Sequence, residues 1–196
     1  MPPANFPSSV LAAQSTFRAI LDATARPGSV QPITGTIGAP QPLSSGAAAV
    51  ALTLCDHDTP VWIDTGLAAS TPVSEWLRFH CGCLIVPNPR DAAFAFASEP
   101  KALPPFDAFN LGSADYPDRS TTIVLQVASF ETGLRLKLTG PGIRERIPFC
   151  ADPLPADIAV RLAFNRGLFP RGVDLMLVTN NAVAALPRSV RVAEEA

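Results

Sequence analysis

Residues 173–179, VDLMLVT, put apolar side chains at four consecutive positions, 175 to 178. Successive side chains of a strand point to opposite faces, so a strand of this kind has to be covered on both. The segment VWID, 61–64, is a shorter run of the same character. Such strands interleave here with stretches of helical period. Together they predict an α/β fold: a three-layer sandwich with a mixed β-sheet covered on both faces. A chain of 196 residues can bury one such core, so a single domain over residues 1–196 is expected.

The other elements follow from spacing and punctuation. A helix starts after Ser8 and Ser9, both good caps; Val10, Ala13, Phe17, Ile20, Leu21 and Thr24 recur at helical spacing, and Arg26-Pro27-Gly28 stops it. A second begins at Ser44 or Ser45 and runs through AAAVALTL, apolar all round and therefore buried. A third takes Thr71 as its cap and Pro72 as its first residue, and Gly82 ends it. DAAFAFAS, 91–98, reads as a strand, and the proline-rich stretch from Glu99 to Pro117 as loop around a helical turn near Pro105. TTIVLQVASF and LRLKLTG, separated by Glu131-Thr132-Gly133, predict a β-hairpin. A helix from about Pro155 to Arg166 is expected to turn Ile158, Leu162 and Phe164 or Ala163 inward. After VDLMLVT, Asn180-Asn181 turns the chain into a short final strand before Pro187-Arg188.

A net charge of −2 leaves no basic footprint, which argues against nucleic acid as a partner. MPPANFPSSV lacks the cationic start and apolar run of a secretory signal, and no apolar stretch approaches the ~20 residues that span a bilayer. No membrane association and a cytoplasmic location are expected. Only 16% of residues are charged, so some apolar surface is expected to meet a partner. Of fifteen cationic side chains only Lys101 and Lys137 are lysine, so thirteen are arginine. Guanidinium suits carboxylate, phosphate and interface contacts, although GC-rich coding would produce the same bias.

WLRFHCGC, 76–83, gathers His80, Cys81 and Cys83. Zinc needs four ligands, usually brought as spaced pairs, and the other ligand types, Cys55, His57 and Cys150, are isolated; no metal is expected. A redox pair would want C-x-x-C spacing and a helix N-terminus, and this pair lies at a helix end. TGPGI, 139–143, lacks the phosphate-loop signature and reads as a turn needing positive φ at Gly140 or Gly142. His57, in CDHDT, reads as part of an exposed polar turn. His80 is left as the one general acid or base to consider, against the plainer reading of a helix-end histidine. In NRGLFPRGVD, 165–174, Arg171 and Asp174 flank the start of a buried strand behind glycine and proline. Such a loop can hold a guanidinium for an anion, or brace itself through an internal Arg–Asp pair.

In order along nearly the whole chain, FRAILDATARPGSV, LTLCDHDTPVW, WLRFHCGC, LKLTGPGI, NRGLFPRGVDLMLV and ALPRSVR resemble the phosphonate-metabolism family PhnH, the H subunit of the bacterial carbon–phosphorus lyase core complex. The sequence departs from the family pattern at Cys81, where Thr is expected, and at Ser189-Val190, where a Thr pair is expected. A family position that takes Thr argues against a metal or redox role for Cys81. The resemblance implies a fold like the large domain of pyridoxal-phosphate-dependent transferases but without the cofactor. Lys101 in a proline-rich loop and Lys137 in a strand do not have the setting of a Schiff-base lysine either. It also implies a role in the assembly that transfers alkylphosphonate to the ribose C1 of ATP.

Two main expectations follow. The first is a non-catalytic, homodimerising subunit that docks onto the other core subunits. The second is a stand-alone protein, ligand-binding or catalytic, that grips a phosphate or phosphonate through Arg78, His80, Arg171 and Asp174, with Arg26 and Arg188. A relict pyridoxal-phosphate enzyme is a distant third. The second expectation has Arg78, His80 and Arg171 converging in one polar concavity at strand ends.

Overall fold

A computed structural model describes residues 9–194. Its main sheet has six strands in the order β1-β8-β7-β4-β3-β2: β1 Gln31–Pro32, β2 Val61–Ile63, β3 Phe94–Ala97, β4 Thr122–Gln126, β7 Asp174–Val178 and β8 Ala182–Leu186. The strands β2, β3, β4 and β7 run parallel, and β8 is antiparallel to both its neighbours. A second sheet, β6-β5-β9, joins β5 Ser129–Thr139, β6 Ile147–Asp152 and β9 Arg191–Glu194 in antiparallel register. The fold is α/β with a mixed sheet.

The alternation of the central strands divides the interior in two. Val124, Met176 and Val178 face one core, shared with α1 (Ser9–Ala25), α2 (Ser45–Leu54), α3 (Thr65–Ala68) and α4 (Thr71–Cys81). Ile123, Leu125, Leu175 and Leu177 face the other, shared with α5 (Ile158–Gly167), the turn at Phe106–Ala108 and the inner face of the second sheet through Leu136, Leu138 and Phe149. The layer on this second face is therefore a helix and a small sheet together.

The TIVLQ segment shows why the expected hairpin does not form. With β3 on one side and β7 on the other it is an interior parallel strand, whereas LRLKLT belongs to β5 in the second sheet. Glu131-Thr132-Gly133 lies inside β5, where Gly133 takes φ +99° and the register against β6 shifts, so these residues make a bulge instead of a turn. The antiparallel pair is β5 with β6, joined through Gly140 and Gly142 at φ +137° and +80°, as TGPG suggested. Nor is β8 the last strand, since β9 follows it.

The helices form where expected, with differences in cap and face. Ser8 lies outside the described residues. Ser44 caps α2, its Oγ accepting from the Ala47 N–H at 3.1 Å. The cap position of α4 is Ser70, one residue before Thr71, and Gly82 closes it at φ +70°. In α5 the third inward residue is Asn165, while Ala163 and Phe164 face out. The largest difference is in α1, which buries Thr16, Ala19, Ile20 and Ala23 and leaves Val10 76%, Phe17 45% and Leu21 52% exposed. Its small side chains let it close on the alanines of α2, and its large ones are turned outward.

Candidate functional site

Arg78 and His80 occupy the last turn of α4, where the positive charge of Arg78 complements the carbonyl end of the helix. Arg78 is exposed. The His80 ring packs on Trp76 at 4.7 Å between centroids and edge-to-face on Phe79 at 4.9 Å. Partial burial lowers its pKa from the ordinary histidine value. His57 is exposed beside Asp58, 3.3 Å away.

Next to this helix end Cys81 hydrogen-bonds with Cys83, Cys55 lies near them, and none of the three forms a disulfide. Burial pushes the Cys55 thiol up. Cys81 is pushed up as well, first by its hydrogen bond with Cys83 and then by burial. Both therefore stay protonated at neutral pH, the opposite of what a nucleophile or metal ligand needs. Among the described residues no three His, Cys, Asp or Glu side chains are grouped to hold a metal ion. Replacing Cys81 by Thr should shift unfolding free energy by less than about 1 kcal/mol, because the position is half-buried and both residues are small. Denaturant melts measure this directly, and a loss above about 2 kcal/mol would contradict an inert thiol.

The loop before β7 holds a guanidinium, but that of Arg188. Its Nε donates to Asp174 Oδ1 at 3.1 Å and its Nη2 to Asp174 Oδ2 at 2.5 Å. Nη2 also donates to Ser120 Oγ, and Nη1 to the carbonyls of Pro117 and Pro170. All five guanidinium donors are thus committed to the protein, and the Arg188 backbone N–H adds a bond to Asp174 Oδ1 at 2.9 Å. Asn165 clamps the same loop, exchanging two hydrogen bonds with the backbone of Val173 at 2.8 and 2.9 Å. Arg171 is exposed on this braced loop, and Arg26 pairs with Asp22 on the surface of α1.

The structure does not bring Arg78 and His80 together with Arg171. Both groups lie at the amino ends of the parallel strands, but α4 packs into the core on one face of the sheet. The loop carrying Arg171 follows α5, which packs into the core on the other. Ligand crevices of open α/β sheets form at the carboxyl ends, which here carry Gln126, Thr179 and Asn180 instead.

Sequence reasoning missed one cationic concavity. Lys137, Thr139, Arg146, Arg191 and Val192 line a cavity of about 180 Å³ on the second sheet. The alternation of Arg135, Lys137 and Thr139 with Leu134, Leu136 and Leu138 was readable as one outward face. The strands that complete it were not.

The family described as Bacterial phosphonate metabolism protein (PhnH) matches residues 4–193. The chain is 42% identical over 190 residues, covering 97% of it and 94% of the relative, to the "Alpha-D-ribose 1-methylphosphonate 5-triphosphate synthase subunit PhnH" of Rhizobium meliloti (strain 1021). It is 40% identical over 83 residues, 42% of each chain, to the "Putative C-P lyase subunit protein HtxG" of Stutzerimonas stutzeri.

Proposed function

The chain belongs to the PhnH family of bacterial phosphonate metabolism proteins, and on that premise we propose that it is a subunit of the carbon–phosphorus lyase core complex. It supports transfer of alkylphosphonate to the ribose C1 of ATP in the cytoplasm, as a homodimerising, non-catalytic component that docks onto the other core subunits. The relative's name, a subunit of the ribose 1-methylphosphonate 5-triphosphate synthase, supports the assembly and the reaction. The fold likeness to the large domain of pyridoxal-phosphate-dependent transferases belongs to the same reading.

The observation that carries the docking role is the outward face of α1. Val10, Phe17 and Leu21, at i, i+7 and i+11, form one apolar stripe, with exposed Leu11 beside it. Val160 and Phe164, one helical turn apart on α5, with Phe169 after it, are a second exposed apolar group. Arg78 and Arg171, exposed on the two faces, are available for carboxylate or phosphate groups of a partner.

Co-expression with the other core subunits and affinity pull-down tests this reading. The wild-type chain should co-purify at physiological salt. The double variant Phe17→Asp/Leu21→Asp should lose most of that association while melting normally, because both side chains face outward already. Failure of the wild-type chain to co-purify, or undiminished association of the variant, would overturn it.

A further inference from the structure

We propose that Lys137, Thr139, Arg146 and Arg191 form a binding site for a phosphate-type oxyanion, a phosphoryl or phosphonyl group free or at the end of a longer chain. On β5 the inward Leu136 and Leu138 are fully buried, which fixes the strand and turns Lys137 and Thr139 outward together. The antiparallel register sets Arg191 of β9 directly opposite Thr139. On the other side, the register pairing Leu138 with Ile147 carries Arg146 to the position beside Thr139. A hydroxyl thus stands between two guanidinium groups, with an ammonium two residues back along the strand.

Arg146 and Arg191 make no hydrogen bond or ion pair with any described residue, so their donors are uncommitted, unlike those of Arg188. An anion seated between Arg146 and Arg191 takes paired N–H donors in the geometry that guanidinium offers to phosphate. The Thr139 hydroxyl can donate to a further oxygen. The cavity, about 180 Å³, is smaller than the usual pocket for a drug-sized molecule and has room for a tetrahedral group. An acidic peptide would need an extended groove. This site is independent of the docking role proposed for α1.

Calorimetric titration of the full chain at low salt, with inorganic phosphate, methylphosphonate and tripolyphosphate as separate probes, tests the assignment. At least one probe should bind saturably at one site per chain with Kd below about 1 mM, and added salt should weaken it. The arms separate a free phosphate, a phosphonate and a chain-end phosphoryl group as the source. Arg146→Gln/Arg191→Gln, both exposed and outside the core, should weaken that binding more than tenfold with an unchanged melting curve. Arg78→Gln should leave it as it is. No saturable binding of any probe, binding unaffected by the double variant, or tighter binding of an oligoglutamate peptide would each overturn the proposal.

Discussion

Gly46→Ala is expected to destabilise the protein by about 3–5 kcal/mol, lowering its melting temperature by roughly 10 °C. A Cβ at this position would lie 1.9 Å from the carbonyl oxygen of Thr179, a backbone atom at the end of β7. The helix cannot easily retreat. Ser44 N–H donates to Gln126 Oε1 at 2.5 Å and Ser45 Oγ to the Asn180 carbonyl at 3.0 Å, while the alanines behind Gly46 are fully buried. The better helix propensity of alanine, about 1 kcal/mol, falls well short of offsetting such an overlap. Gly167→Ala is the control: its Cβ would meet nothing within 4 Å, and its stability should change by less than about 1 kcal/mol. Equal melting of the two variants would mean that the α2–β7 approach is looser than described.

Asp174→Ala is expected to cost about 2–4 kcal/mol. It removes the acceptors of Arg188 Nε, one Nη2 bond and the Arg188 backbone N–H in one step. The Arg188 side chain is 13% exposed and that of Asp174 31%, so the abandoned charge is only partly rehydrated, and the estimate is set below the full penalty for a buried ion. Asp174→Asn keeps one oxygen and should lose less. In the double variant Asp174→Ala/Arg188→Met the loss should fall short of the sum of the single losses, because the pair is coupled. Chemical denaturation of the four proteins gives the comparison, and additive losses would contradict the brace.

What the sequence reveals of this molecule is set by the range of the interactions concerned. VDLMLV announced a strand covered on both faces because the pattern lies within the strand itself, and Gly82 announced a helix end because a left-handed residue is a local requirement. Strand partnership is not local. TIVLQ pairs with β3 and β7, across a long loop on one side and two further strands and a helix on the other, so the neighbouring LRLKLT was taken for its partner. The site residues follow the same rule. Asp174 sits three residues from Arg171, but the antiparallel return of β8, pairing Leu175 with Leu186, delivers Arg188 to it instead. Spacing found an apolar stripe on α1 without showing that the small side chains beside it, Ala19 and Ala23, would take the inner position. The cationic concavity draws on β5, β9 and the residue that leads into β6, and is invisible in any one of them.

Hydroxyl-radical footprinting, read by mass spectrometry on the isolated chain and on the assembled core complex, tests the central claim most directly. The account predicts that Phe17 and Leu21 of α1, reactive in the isolated chain, become protected several-fold on assembly. Assembly that leaves both side chains as reactive as in the free chain would contradict it.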